Sequence, residues 1–329
     1  AHVVTAFLQV DDPYSYLLSR YLPDLAEHYQ VELRVCLSRA LGGDYDPAGE
    51  RHAEYAITDS ARVAQELGIP FFDRGNALPI EILPALNDAV ADSAAADMAD
   101  NVYAALEAYW RGDSESATRM ATHATAGAGE RQIEESRRRL ERMGHYNSAM
   151  LHYGGEWYWG VDRLHHLTAR LDDNGAARRG GSNARLASIA QVTHVDLPVT
   201  PPAAAQGLPP LDLFYSFRSP YSQLCLQRVF AVADACGLEL ALRPVLPMMM
   251  RNMPVPARKI RYSVRDAMRE AELHGVPYGQ AMDPLGTGVE RCLAVFAFAE
   301  SEHRGREFLL NASAMISNRE VDQSTDKGL

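Results

Sequence analysis

The chain has 329 residues, of which 47% are apolar and 23% charged, a composition typical of globular proteins and a length that favours two domains. A formal net charge of −11 argues against nucleic acid and anionic membrane surfaces as partners. No apolar run is long enough to span a bilayer, and the four cysteines form no C-x-x-C pair and no metal-ligand spacing. We therefore expect a cytoplasmic protein with reduced thiols and no metal site.

The first half begins with a strand, a helix and a second strand, and continues into a helical stretch over about residues 80–143. The segment AMLHYGGEWYWGVDRL predicts a β-hairpin with a Gly-Gly turn, followed by a closing helix. The strand–helix–strand start implies a parallel pair with a right-handed crossover. This layout is that of a thioredoxin fold with a helical insertion, assigned to residues 1–171. A stretch rich in Gly, Ala, Ser and Pro over residues 172–210 is predicted as a linker.

The second half, residues 211–329, repeats the first at a fixed offset of 207 residues (219 − 12). Asp12 in FLQVDDPYSYLLS aligns with Ser219 in FYSFRSPYSQLCL, and the pattern Y-x3-D-x2-R-x5-G-x-P starts at both Tyr55 and Tyr262. Coincidence at one offset is improbable, so the pattern indicates a tandem duplication. The predicted fold class is therefore α/β, with two tandem thioredoxin-like domains that each carry an α-helical insertion.

Ser219 and Pro220 stand where a short strand gives way to a long apolar helix. Serine at the N-cap and proline at the first helical position are both typical of a helix start. A helix N-terminus also presents unpaired N–H groups and a partial positive charge, both of which favour an anion. Ser219 is thus either a helix cap alone or a helix cap that also holds a bound anion.

The second half resembles the 2-hydroxychromene-2-carboxylate isomerases and kappa-class glutathione transferases, the thioredoxin-like branch related to DsbA-type oxidoreductases. The resemblance rests on FYSFRSPYS, LRPVL, NMPVPARKIRYSVRDAMREAELHGVPY and AVFAFAESEHRGREFLL. The first half matches more weakly, chiefly through GGEWYWGVDRL. The resemblance implies a DsbA-like fold, glutathione as the cofactor, and Ser219 as the catalytic residue that holds the glutathione sulfur as a thiolate, the reactive form of a thiol.

The same resemblance implies three further glutathione-contacting positions. Asn252 and Lys259 match two of them, and Lys259 could pair with a carboxylate of the tripeptide as a point charge, although a solvated helix lysine is an equal alternative. Asp162 in GVDRL matches the third, and for it we favour a structural role. Asp266 and Arg269 are expected to form a structural ion pair at i,i+3 spacing.

Each half departs from the family pattern. Asp12 replaces the serine in the first half; it is a good N-cap, but a carboxylate about 4 Å from a thiolate costs roughly 4 kcal/mol at an effective dielectric near 20. We therefore expect the first half to be a degenerate, structural copy. The second copy reaches Leu329 without a hairpin or closing helix, so we expect the protein to continue past that residue, or a partner chain to supply the strands, as in a homodimer.

The leading functional prediction is a glutathione-dependent cis–trans isomerase or transferase that acts on a small conjugated electrophile. The glutathione sulfur would add to a conjugated double bond, the resulting single bond would rotate, and elimination would return glutathione. The alternative is a tandem thioredoxin-like binding or scaffold protein without catalysis. A disulfide oxidoreductase ranks third, because no C-x-x-C pair is present to carry the electrons.

Overall fold

The structure is a computed structural model that describes residues 2–71, 75–178, 184–193, 197, 200–202, 207–279, 281–318 and 321–328. The chain divides into two compact units, Ala1–Val195 and Asp196–Leu329. The finer boundaries at residues 171 and 211 stay a prediction. None of the described helices combines the length and apolar character that a membrane span requires.

The first unit consists of a small sheet and many helices. Its strands are β1 (His2–Leu8), β2 (Val31–Leu37), β3 (Met150–Tyr153) and β4 (Glu156–Trp159). Its helices are α1 (Pro13–Ser19), α2 (Leu22–His28), α3 (Glu50–Glu66), α4 (Leu83–Ala91), α5 (Met98–Arg111), α6 (Ser114–Ala121), α7 (Ala128–Arg142), α8 (Leu164–Asp173) and α9 (Ala184–Thr193). Helices α4 to α7 lie within the stretch predicted as helical, whereas α9 lies inside the stretch predicted as linker.

The sheet of the first unit has the strand order β2-β1-β3-β4. Strands β1 and β2 are parallel, and β3 runs antiparallel to β1. Strands β3 and β4 form the predicted hairpin, whose turn residues Gly154 and Gly155 both have positive φ, +55° and +82°. Glycine is suited to such a turn because it has no Cβ to clash in the left-handed region. This mixed α/β layout agrees with a thioredoxin-like fold.

The core of the first unit is built around its central strand. Residues 4–8 of β1 are buried without a break, as expected for a strand with helices packed on both faces. Helix α5 packs against α1, and β2 packs against α2 and α7. The insertion helices are therefore joined to the same core as the sheet, and Tyr16 at the start of the chain hydrogen-bonds through its hydroxyl to Glu107 in α5.

The second unit contains strands β5 (Leu211–Tyr215) and β6 (Leu240–Pro244). Its helices are α10 (Pro220–Cys236), α11 (Ala257–Leu273), α12 (Thr287–Ser301) and α13 (Gly305–Ser317). Strands β5 and β6 are parallel and form a two-stranded sheet among the described residues. The core is formed by apolar residues of the sheet, α10, α12 and α13, including Tyr215, Phe217, Leu226, Cys292, Leu309 and Ile316.

The two units share strand pairing and backbone angles at residues that lie 207 positions apart in the chain. Val4 pairs with Leu33 in the first sheet, and Leu211 pairs with Leu240 in the second. The helix ends before GIP and GVP also match, since Gly68 and Gly275 have φ of +62° and +63°. These correspondences follow the alignment predicted from the sequence, residue by residue.

The sheets differ in what covers them. Phe7 on β1 is fully buried and lies with its ring 5.7 Å from that of Trp157 on the hairpin. Phe214, the aligned residue on β5, is 67% exposed. In the described part of the chain, the second sheet has two strands where the first has four. The aromatic side chain that the hairpin covers in the first unit is therefore open to solvent in the second.

His145 makes the stability of the first unit sensitive to acid. Burial, and to a smaller extent the charge of His152, lowers the pKa of His145 from 6.5 to about 3. The ring lies flat against Tyr146, with centroids 4.7 Å apart, and contacts Trp157. Because the unfolded chain binds this proton at a higher pH than the folded protein, the free energy of unfolding should fall as pH drops from about 6.5 towards 3.

We predict that His145→Phe, which keeps an aromatic ring at this position, flattens the decline of unfolding free energy between about pH 6.5 and 3. The measurement is urea unfolding at a series of pH values. His123→Gln, a change at an exposed loop histidine, serves as the control and should leave the slope unchanged. An unaltered slope in His145→Phe would contradict the prediction.

Candidate functional site

The candidate site of the second unit is the start of α10. Ser219 has extended backbone angles, and its hydroxyl oxygen accepts a hydrogen bond from the amide of Ser222 at 3.3 Å. Pro220 is the first helical residue, so its missing N–H removes no helical hydrogen bond. The amide of Ser219 in turn donates to the carbonyl of Ser216 at 3.0 Å, which fixes the turn between β5 and α10. The predicted serine cap is confirmed.

The matching position in the first unit is filled by a carboxylate. Asp12 accepts hydrogen bonds from the amide of Tyr14 at 3.1 Å, the amide of Ser15 at 3.2 Å and the hydroxyl of Ser15 at 2.7 Å. Ser148, in the segment just before β3, also hydrogen-bonds to this carboxyl group. The backbone amides at the start of α1 therefore already donate to the side chain of Asp12.

The pKa of Asp12 reflects its burial. Burial raises the pKa of Asp12 above its ordinary value, against the opposing effect of the hydrogen bonds from Ser15, Ser148 and the Tyr14 amide. Because the carboxyl group of Asp12 already accepts hydrogen bonds from the amides of Tyr14 and Ser15, these donors are not available to a second anion at the start of α1.

Further carboxylates surround the start of α1. The hydroxyl of Tyr14 donates to Asp59 at 2.9 Å. Burial raises the pKa of Tyr14, and the charges of Asp59, Asp12 and Asp162 raise it further. The electrostatic effect of Asp162 on Tyr14 places this predicted residue in the neighbourhood of Asp12, although it is itself exposed and ion-paired with Arg163 at 3.0 Å. The first site is therefore acidic as well as occupied.

In the second unit the corresponding carboxylate is paired with an arginine. The hydroxyl of Tyr221 donates to Asp266 at 2.8 Å, the counterpart of the Tyr14–Asp59 bond. Asp266 is also ion-paired with Arg269 at 3.1 Å, which confirms the predicted i,i+3 pair. Asp59 has no ion pair among the described residues. The start of α10 is consequently less acidic than the start of α1.

The other predicted residues of the second site lie on the segment that follows β6. Asn252 is exposed and has a left-handed backbone, with φ of +58°, at the end of a short 3-10 turn over Met248–Arg251. Lys259 lies in the first turn of α11 and is half-buried. Helix α11 packs against α10, in part through the Tyr221–Asp266 bond. No hydrogen bond joins Ser219 to Asn252 among the described residues, so the grouping of Ser219, Asn252 and Lys259 into one site stays a prediction.

Sequence reasoning missed a cleft in the first unit. It has a volume of about 400 Å³ and lies between the ends of β1 and β2 and helices α4 and α7. Ser38 and Asn87 line it, and their buried Oγ and Oδ1 atoms have no hydrogen-bond partner among the described residues. A ligand group that donates a hydrogen bond would satisfy Asn87. The one available signal was Asn87 itself, a polar residue within the apolar helix LPALNDAVA.

Comparisons with known proteins give a likeness among solved structures. No family model matches the chain, and no curated protein matches it. Among solved structures, the chain is similar to selenomethionine 2-hydroxychromene-2-carboxylate isomerase, with a TM-score of 0.41 and 21% sequence identity over 52% of this chain and 95% of that chain. A likeness of this degree assigns no role to any residue of this chain.

Two N-cap aspartates of the first unit, Asp12 and Asp113, are predicted to respond to pH in opposite directions. Burial raises the pKa of Asp12, whereas the hydrogen bond from the amide of Ser116 lowers the pKa of Asp113, the cap of α6. As pH rises above about 3.8, ionisation of the buried Asp12 should lower the free energy of unfolding. As pH falls below about 3.8, protonation of Asp113 should lower the free energy of unfolding.

Relative to the native chain, Asp12→Asn should therefore gain stability as pH rises above about 3.8. The matched variant Asp113→Asn should lose stability relative to the native chain as pH rises towards about 3.8 from below. Asparagine caps helices about as well as aspartate, so both variants isolate the charge. Chemical unfolding across the pH range measures both differences. Parallel pH profiles for the two variants would contradict the assigned directions.

Proposed function

We propose that the second unit binds glutathione with its sulfur at the start of α10, and that the protein is a glutathione-dependent isomerase or transferase of small conjugated electrophiles. One observation carries the proposal: the N-cap of α10 is a half-buried serine with a single hydrogen bond from the helix, whereas the N-cap of α1 is a carboxyl group that occupies its donors. In this proposal the first unit takes no part in glutathione binding.

Helix α10 provides the physical basis for thiolate binding. It is 17 residues long, and its first turn contains no acidic residue. Its dipole places a partial positive charge at Ser219, and this charge lowers the pKa of a thiol docked there. The hydroxyl of Ser219 can donate a hydrogen bond to the sulfur while its oxygen still accepts from Ser222. These two effects together favour the thiolate, the nucleophilic form of glutathione.

The remaining roles follow from position and chemistry. Lys259 supplies a positive charge for one carboxylate of the tripeptide, and Asn252 supplies an amide that can both donate and accept hydrogen bonds. The thiolate adds to a conjugated double bond of the substrate, the former double bond rotates, and elimination restores the double bond and releases glutathione. The substrate is isomerised and glutathione is not consumed.

The repeated geometry supports the view that the two units arose by duplication. The shared strand register, the paired Tyr–Asp hydrogen bonds and the matching helix ends all occur at one offset. In this proposal the first copy kept its fold and lost the anion site when a carboxylate took over the cap. A homodimer and a cytoplasmic location remain part of the proposal.

A non-catalytic binding or scaffold protein is the second candidate, and the carboxyl group that fills the first cap favours it for that unit. A disulfide oxidoreductase is less well supported. All four cysteines are free, and burial raises the pKa of Cys36, Cys225 and Cys292, which disfavours the reactive thiolate.

We predict that Ser219→Ala strongly lowers thiolate formation by bound glutathione and conjugation of an activated chloronitrobenzene, and costs only about 1 kcal/mol of stability, the usual loss for an N-cap. Thiolate is followed by its ultraviolet absorbance as pH is varied. Asp12→Ala, which removes the matched cap of the first unit, should cost a similar stability and leave both readouts unchanged.

Two outcomes contradict the proposal. Equal losses in Ser219→Ala and Asp12→Ala would show that the first site also takes part in the reaction. Unchanged thiolate formation in Ser219→Ala, with glutathione still bound, would show that the cap of α10 does not hold the sulfur.

A further inference from the structure

A second cavity of the first unit lies away from the helix caps. It has a volume of about 510 Å³ and lies around the first residues of β1 and the turn of the β3–β4 hairpin, whereas Asp12 follows the last residue of β1. Its polar lining includes three arginines, two histidines and Thr5. We call it the arginine pocket, and its charged residues are Arg34, Arg139 and Arg170.

The sheet register places part of this lining in one row. Thr5 of β1 pairs with Arg34 of β2 on one side and with His152 of β3 on the other. Residues paired in this way point to the same face of a sheet, so a guanidinium, a hydroxyl and an imidazole stand side by side across three strands. Arg139 comes from α7, which packs against β2.

The arginines differ in how their charges are balanced. Arg170 is held by the carboxylate of Glu156 at 2.7 Å and donates to the carbonyl of Gly154 at 3.0 Å. Arg34 pairs with Glu32 at 2.6 Å. Arg139 donates only to the thiol of Cys36, at 3.7 Å, and has no carboxylate partner in the part of the chain that the structure describes.

Among the described residues no carboxylate lines the pocket, although the chain as a whole has a net charge of −11. Arg139 is therefore a half-buried positive charge in the wall of a cavity, hydrogen-bonded to the weakly polar sulfur of Cys36. The positive charges of these arginines also act on His152 in the pocket lining. Burial lowers the pKa of His152, and the charges of Arg139 and Arg170 lower it further.

We propose that the arginine pocket binds the oxyanion of a small molecule, a carboxylate or a phosphate, with Arg139 as its principal ligand. A guanidinium presents several N–H donors in a planar fork that matches either oxyanion. Arg170 is preorganised at the rim by Glu156 and Gly154, while Thr5 and His152 can supply further hydrogen bonds from the sheet. The volume suits a small organic anion.

This site is independent of the proposed glutathione site. The residues named for it all belong to the first unit, whereas Ser219, Asn252 and Lys259 belong to the second. Loss of one site by mutation should therefore leave the other intact, which separates the two proposals experimentally.

The test is isothermal titration calorimetry of the full chain with inorganic phosphate, and in a second arm with succinate, at constant ionic strength. We expect saturable binding in at least one arm, and the arm that binds identifies the oxyanion. Arg139→Gln should weaken that affinity about tenfold or more, the usual effect of losing one charge-assisted hydrogen bond. Arg142→Gln, an exposed arginine of the same helix outside the pocket, is the matched control and should bind as the native chain does.

Thermal unfolding of each variant, measured in the absence of ligand, shows whether it is folded. If Arg139→Gln is unfolded, His152→Gln replaces it in the calorimetry and should also weaken binding. Absence of saturable binding in both arms, or equal weakening in Arg139→Gln and Arg142→Gln, would overturn the proposal.

Discussion

The hydrogen bonds that cap the first turns of α1 and α10 are the interactions on which the functional account depends. In both helices an extended residue before a proline directs a side-chain oxygen at the backbone amide three residues later. A serine makes one such bond and keeps a hydroxyl proton to donate, whereas an aspartate makes several and brings a carboxylate. The same backbone geometry thus yields a position open to an anion in one unit and a position already filled in the other.

The surrounding fold holds these caps in place. Each cap follows the first strand of a parallel pair with the same register. A tyrosine–carboxylate hydrogen bond ties the first turn of α1 to α3 and the first turn of α10 to α11. The units diverge in their charges. Asp266 is neutralised by Arg269, while Asp59 stands among Asp12 and Asp162 around Tyr14. In the proposed function, electrostatics and occupancy therefore both favour a thiolate at the cap of α10 over one at the cap of α1.

Features encoded by neighbouring residues could be predicted from the sequence. The Ser219 cap followed from Ser-Pro before an apolar helix, and the hairpin followed from Gly-Gly between aromatic segments. Features that depend on distant segments could not. The raised pKa of Asp12 arises from burial, which outweighs the opposing hydrogen bonds from Ser15 and Ser148. The arginine pocket brings together Arg34, Arg139 and Arg170 from a strand and two helices. Helix α9 was missed because the small and polar residues around it are typical of a linker, yet Leu186 and Ile189, at helical spacing, are buried.

The central claim is that the N-cap residue decides which unit binds glutathione. The most direct measurement is calorimetric titration of glutathione into the full-length chain and into Ser219→Asp, which gives the second unit the cap of the first. The account predicts saturable binding to the native chain and its loss in Ser219→Asp, with both proteins folded, since aspartate is also a good N-cap. Undiminished binding to Ser219→Asp would contradict it.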